Sequence, residues 1–421
     1  MAGRRQRRRR NRRRRGRNRA KGCLYVFVVT IGLCALTAFA LPWAHAEFGS
    51  FLQGILEDGI RETVNTAARQ ETVFPELTVT VEEVAGDFYY QQLSGEEQTV
   101  YRELLQGVQE MKESITIHAG RDEHPEKVYE YLLYDRPELF FCDGSSKMTV
   151  YEDHTEFYPG YTCTLSEKEQ KQAQIETASE ECIAGISGDA SEYDKIRYVY
   201  EYIVNTVDYD ENAPDNQNIY SALVGKNSVC AGYSRAAQYL LGKIGIECIY
   251  VVGTAQGQSA HAWNIVSCNG KYYQMDVTFA DPVFLSAETG EKLPGDTVNY
   301  DYLCCTDNEI FTDHKPSTDI SYPVCDSDDL NYYKMNGMYY EAFDPQIILG
   351  AMNDGIYAGE ETFVCKFSGA EVFAGARSVM VGDLLPRAAQ TLASAYGLKN
   401  VKYTYVEDET HHKVTVFWNY E

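Results

Sequence analysis

The sequence predicts an α+β protein built around a helix followed by an antiparallel hairpin. Two observations carry this. After Tyr193, the residues Ile196, Val199, Tyr200, Ile203 and Val207 recur at helical spacing and form one apolar stripe. Further on, the runs 260–268 and 271–279 flank Asn269-Gly270. That dipeptide is the strongest short hairpin signal, because both turn positions need φ > 0. Helix first and antiparallel strands after is an α+β order.

The chain divides by pattern as follows. Residues 1–22 are a basic arm, 23–46 an apolar run and 47–80 an exposed helix and linker. A first α+β region spans 81–190. In it, Ser94 with Glu97 and Ser166 with Glu169 read as capping boxes. Pro125 suits the first helical position ahead of Val128, Leu132 and Leu133. Lys147–Tyr151 and Glu156–Thr164 read as a hairpin. The core, 191–321, holds the striped helix, a second helix from about 230, a strand at Glu247–Gly253, the Asn269-Gly270 hairpin and a strand around Tyr300–Thr306. From 322 to 421 a small α+β domain is expected. Its elements are a hairpin over Asn331–Phe343 turning at Asn336-Gly337, a helix Pro345–Tyr357, a strand Glu361–Phe367, a helix Val381–Tyr396 and a hairpin Val401–Glu407 with His412–Tyr420. It carries no visible catalytic set and reads as a binding or packing module.

The arm has twelve Arg and one Lys and no acid. Alone it would suggest nucleic acid. Gly22 to Ala44, however, contains no charged side chain, and as a helix it would span roughly 34 Å, enough to cross a bilayer. The positive-inside rule then keeps the arm in the cytoplasm and sends the body outside. Two versions compete. A signal anchor leaves a single-pass membrane protein; cleavage after Ala46, at an A-x-A site, leaves a secreted one. The apolar run is long for a cleaved signal, which favours the anchor. Beyond the arm, 25 basic residues face 62 acidic ones, a formal charge of −37. The charge of such a body disfavours nucleic acid as a partner.

Twelve cysteines occur, two of them in the apolar run. No C-x-x-C is present, and the adjacent Cys304-Cys305 read as core residues. The histidines are scattered, and His411-His412 lacks partners for a metal site. The acidic loop from Asp208 to Asn218 lacks EF-hand spacing. No metal and no cofactor is expected.

Three residues make the chemical statement. Cys230 falls in the first turn of a helix whose apolar positions are Ala236, Ala237, Leu240, Leu241 and Ile244, with Asn227 and Ser228 as N-cap types and Gly245 as the stop. Free N–H groups there stabilise a thiolate and can hold an oxyanion. In the hairpin, 268 opposite 271 sets Asp276 opposite Trp263 and His261 opposite Thr278. His261 and Asp276 are then diagonal neighbours on one face, with Cα atoms roughly 7–8 Å apart. Ala262, Val266, Tyr273, Met275 and Val277 form the other face and read as core, with Asn264 as the exception. A thiol beside an imidazole held by a carboxylate can attack an amide carbon.

The motifs Ser228-Val229-Cys230-Ala231-Gly232-Tyr233-Ser234, His261-Ala262-Trp263-Asn264 and Asp276-Val277-Thr278-Phe279, in this order and spacing, resemble the transglutaminase-like core over residues 192–310. The resemblance implies a papain-like fold, with a nucleophile helix packed on an antiparallel sheet. It implies Cys230 as nucleophile, His261 as base then acid and Asp276 as the group that fixes the imidazole. Animal cross-linking members carry an upstream tryptophan at the oxyanion. None stands here, and Tyr220 is the nearest aromatic; Tyr220 and Trp263 are the candidate supporting residues.

The expected function is acyl transfer from peptide or side-chain amides, with hydrolysis favoured over cross-linking because no amine-binding feature is visible. A protein or peptide amide is the substrate, and a cell-envelope protein is a candidate partner. The alternative is a non-catalytic envelope scaffold or binding protein.

Overall fold

A computed structural model describes residues 73–120, 124–256, 259–281 and 298–420. The basic arm, the apolar run with its expected membrane helix and most of the 47–80 segment lie outside the described residues. Among the described residues no helix is long and apolar enough to cross a membrane.

The N-terminal region runs α1 (Gly95–Gln109), β1 (Ile115–Ile117), α2 (Pro125–Asp135), β2 (Cys142–Val150), β3 (Thr155–Tyr161) and α3 (Leu165–Ala184). Ser94 and Glu97 form the expected capping box, and Pro125 opens α2 over buried Val128, Leu132 and Leu133. The second box is displaced. Thr164, extended at φ −78° and ψ 164°, caps α3 with Glu167, so Ser166 lies inside the first turn. Two overlapping S/T-x-x-E pairs compete here, and the upstream one holds the extended residue.

The core runs α4 (Glu192–Thr206), β4 (Asp208–Tyr209), β5 (Asn227–Ser228), α5 (Cys230–Lys243), β6 (Cys248–Ala255), β7 (Ser259–Cys268), β8 (Lys271–Met275) and β9 (His314–Pro316). One antiparallel sheet has the order β8-β7-β6-β9, and α5 packs on β6 and β7. The hairpin register is as expected as far as it runs: Cys268 opposes Lys271 and Asn264 opposes Met275, around Asn269 at φ 52° and Gly270 at φ 76°. The ladder stops at Met275, so Asp276 leaves the sheet. Both faces of the hairpin are buried, not one, because the sheet is covered on each side. Ile196, Val199, Tyr200, Ile203 and Val207 are all in the core.

The segment after Tyr300 is not a strand. It is a short 3-10 turn, Tyr300–Tyr302, followed by one bridge between Gln274 and Cys305. Cys304 sits at φ 50°, which breaks the extended run.

The C-terminal region runs α6 (Tyr332–Met335), β10 (Tyr339–Tyr340), α7 (Pro345–Ala358), β11 (Thr362–Phe367), α8 (Ala370–Val379), α9 (Leu385–Tyr396), β12 (Lys402–Asp408) and β13 (Lys413–Asn419). The hairpin expected over Asn331–Phe343 is absent. Asn331 Oδ1 instead accepts from Tyr333 and Lys334 N–H and caps α6, and Gly337 at φ 69° turns the chain out of it. Asn-Gly here ends a helix, the other use of a positive φ. β10 then pairs parallel with β11. The helix expected from Val381 begins at Ala370, and Met380–Leu384 is a π turn joining α8 to α9.

One hydrophobic cluster runs from Val79 to Cys325 and serves both the N-terminal region and the core. A second, from Ile348 to Trp418, belongs to the C-terminal region.

Candidate active site

Cys230 is the first residue of α5. Its N-cap is Val229, not Asn227 or Ser228, and no side chain caps the helix. Asn227 and Ser228 are instead paired to Asp208 and Tyr209 as β5. The approach is pinned at Asn216, whose carbonyl accepts from Val229 N–H at 3.0 Å and from the Ser228 hydroxyl at 2.7 Å. Gly232 is required by contact: a Cβ there would lie 1.9 Å from Ser228 Oγ and 3.1 Å from the Asn218 carbonyl. Uncapped first-turn N–H groups of Cys230 and Ala231 have no intrahelical acceptor and remain for a ligand oxygen.

Ser234 and Asn264 fasten α5 to the histidine strand. The Ser234 hydroxyl lies 2.9 Å from the carbonyls of both Cys230 and Ala262, and Asn264 Nδ2 donates to the Ser234 carbonyl at 3.1 Å. Asn264, the polar exception on an apolar face, is there for this tie.

His261 lies on β7, 9 % exposed, and Cys230 is half-buried. The Cys230 side chain lies beside the His261 ring and favours its charged form. His261 Nε2 donates to Asp276 Oδ2 at 2.6 Å, so Nδ1 is the nitrogen left for the thiol. Burial disfavours the imidazolium, but Asp276 and then Cys230 outweigh it, and the His261 pKa is raised to about 10. Asp276 is fully buried. Burial would push its pKa up; His261 and a second histidine hold it well below the usual carboxylate range. Its Oδ1 accepts from the N–H groups of Thr278 at 2.8 Å and Phe279 at 3.1 Å. This local turn fixes the carboxylate after the strand has ended.

The second histidine is His314 on β9, which the sequence reading does not single out. Its Nε2 lies 2.8 Å from Asp276 Oδ2 and its Nδ1 2.5 Å from Asp313 Oδ1. Phe279, Trp263 and Tyr302 pack edge-on or tilted around the His314 ring.

Trp263 is buried beside His261, its ring 6.1 Å away, and its indole N–H donates to Gln274 Oε1 at 2.8 Å. It is a wall for the imidazole, and its donor is taken. Tyr220 is turned elsewhere. Its hydroxyl donates to Gln174 at 2.9 Å, and its ring lies on Phe140 and under the Lys171 ammonium. The oxyanion role expected of Tyr220 has no support in these contacts.

His261, Asp276 and His314 bring three ligand-type atoms within 4.8 Å, as do Asp301, Asp408 and His411. In the first group both imidazoles already donate to Asp276. In the second, Lys366 and Lys413 occupy the two Asp301 oxygens. His411 thus has acidic neighbours that its sequence position does not reveal, but the lysines supply the positive charge.

The sequence model of the transglutaminase-like superfamily matches residues 180–277. Those residues are a transglutaminase-like domain. The match ends one residue after Asp276, so His314 lies outside it. No curated protein matches the chain. Among solved structures, a TGase is similar at 17% identity and TM-score 0.24, over 39% of this chain and 50% of that one. A candidate cysteine protease from Cytophaga hutchinsonii is similar at 13% identity and TM-score 0.23, over 33% and 63%. A candidate protease from Parabacteroides distasonis is similar at 8% identity and TM-score 0.20, over 30% and 35%. This chain therefore spans less than two thirds of each. The transglutaminase-like fold is typically that of a cysteine enzyme.

Proposed function

We propose that the protein is an extracytoplasmic cysteine enzyme that transfers the acyl group of peptide or side-chain amides, chiefly to water. The observation that carries this is the juxtaposition of Cys230, His261 and Asp276: the imidazole is hydrogen-bonded to the carboxylate at 2.6 Å, the Cys230 side chain is its neighbour, and the thiol stands partly exposed at an uncapped helix start.

The steps follow from the geometry. The Cys230 sulfur attacks the amide carbon, and the carbonyl oxygen becomes an oxyanion facing the N–H groups of Cys230 and Ala231. His261, protonated and held by Asp276, gives its proton to the leaving nitrogen as the C–N bond breaks, and a thioester remains. Water then enters. His261 takes a proton from it, the hydroxyl oxygen bonds to the acyl carbon, and the C–S bond breaks to release the acid. An amine in place of water would give a cross-link. We favour water because no amine-binding feature accompanies the site among the described residues; incorporation of a free amine in preference to hydrolysis would reverse that choice.

The apolar run 23–46 behind a basic arm supports a single-pass placement with the body outside the cytoplasm, or secretion after cleavage following Ala46. An envelope protein is the fitting partner class. Thiol-directed alkylation of Cys230, compared between the wild type and His261→Ala, tests the catalytic reading without knowledge of the substrate.

A further inference from the structure

His314 is bonded at both ring nitrogens to carboxylates. A carboxylate offers only acceptors, so each nitrogen must carry a proton, and a ring with two N–H groups is an imidazolium. The partners are Asp276 Oδ2 at 2.8 Å and Asp313 Oδ1 at 2.5 Å. Asp313 is itself fixed, its Oδ2 accepting from the Tyr302 hydroxyl at 2.5 Å. The His314 side chain is wholly buried, so water does not share these bonds.

The same Asp276 oxygen receives both imidazoles, and the two rings are 5.2 Å apart. Charges therefore alternate through the protein: His261 positive, Asp276 negative, His314 positive, Asp313 negative. A lone carboxylate buried as deeply as Asp276 would tend to take up a proton. Two flanking imidazoliums keep it ionised, while the His314 charge opposes the one on His261.

We propose that His314 is a positioning residue for the acyl-transfer reaction, a fixed imidazolium that holds the Asp276 carboxylate on the His261 ring and tempers how tightly His261 keeps its proton. This rests on the triad reading above. The His314 side chain is wholly buried behind Asp276, so it acts through Asp276. Among the described residues, the titratable and charged groups around it are His261 from β7, Asp276 from the turn after β8, Asp313 beside it and the phenol of Tyr302. The pKa of His314 is raised: burial opposes its charge, and the bonds to Asp276 and Asp313 outweigh that. The strand that carries it is placed by the sheet. β9 pairs with β6 at Ala255 and His314, and β6 pairs with β7 at Gly253 and His261. Gly253 lies between them because a Cβ there would meet the Lys315 carbonyl at 2.3 Å and the Trp263 ring at 2.8 Å.

The test is histidine-selective 15N NMR of the full-length protein in detergent, titrated from neutral to alkaline pH, in the wild type and in His314→Gln. Glutamine can still donate to Asp276 but carries no charge, so it separates charge from packing. Two protonated nitrogens on His314 at neutral pH are expected in the wild type. In His314→Gln the pH at which His261 loses its proton is expected to rise by about one unit, as removal of a like charge at this distance requires. A bare nitrogen on His314 at neutral pH overturns the proposal. So does an unmoved His261 midpoint in a folded His314→Gln, even if that variant melts earlier, because a purely structural role would do only that. Failure of the triad itself reads out elsewhere, as wild-type Cys230 alkylation that His261→Ala leaves unchanged.

Discussion

At the scale of single residues, the site depends on the charge state of a buried pair. His261 has a folded pKa raised from its usual 6.5 to about 10, and Asp276 one lowered from its usual 3.8. A raised histidine pKa contributes stability that is whole below 6.5 and is lost as pH climbs through 10. A lowered carboxylate pKa contributes stability present above 3.8 and lost as pH falls below it. The pair thus favours the folded state most between those limits. The gap in melting temperature between the wild type and His261→Gln should accordingly be widest near pH 6 and narrow toward pH 10, as followed by differential scanning fluorimetry. A gap that widens with rising pH would contradict the ion-pair assignment. The His261–Asp276 pairing is legible in the sequence, and each member of the candidate triad sits at a feature with a local signature: a helix start, an alternating strand, and a hairpin turn that sets the register. His314 carries no such signature. It is on a three-residue edge strand and meets Asp276 only through the sheet, across 38 residues of sequence. In sequence Ser234 belongs to a motif and Asn264 is a polar exception on an apolar face; their joint role emerges only from the contact between helix and strand.

At the scale of elements, the C-terminal region is tied to the core by charge. Lys366 on β11 and Lys413 on β13 both bond Asp301, a fully buried residue of the turn Tyr300–Tyr302. That turn also receives Asp276 N–H on the Tyr302 carbonyl at 2.9 Å. The two lysines hold the Asp301 carboxyl far below its usual range despite burial. Asp301→Asn would leave two ammonium groups facing a neutral amide, and Glu309, 3.8 Å from Lys366, replaces little of the lost charge. A loss of about 3–5 kcal/mol in unfolding free energy is expected from urea denaturation. A change under about 1 kcal/mol would show that the tie does not hold the regions together. These bonds join residues 65 and 112 apart in sequence, a separation over which local pattern shows only a binding or packing module and not its attachment. The misplaced elements have local causes. Asn336-Gly337 offers a positive φ that suits a helix end as well as a hairpin, and Cys304 takes a left-handed conformation that its residue type does not announce. The elements read correctly, such as α4, α7 and the final hairpin, are those with long uninterrupted periodicity.

At the scale of the whole molecule, the sequence is divided by charge into a basic arm and a strongly acidic body, separated by an uncharged apolar run. Such a division fits a protein held across a bilayer with its catalytic part outside. Protease added to intact cells should remove the body and leave the arm with the membrane. Full protection of the body, reversed only by lysis, would place it inside and end the extracytoplasmic reading. On the chemical side, acyl transfer requires that His261 activate the Cys230 thiol. The most direct measurement is the second-order rate constant for iodoacetamide at Cys230, followed by peptide mass spectrometry near neutral pH. Cys230 should react well ahead of the other nine described cysteines and ahead of glutathione, and His261→Ala should slow it markedly. Reaction no faster than glutathione, with His261→Ala indistinguishable from the wild type, would contradict the enzyme reading.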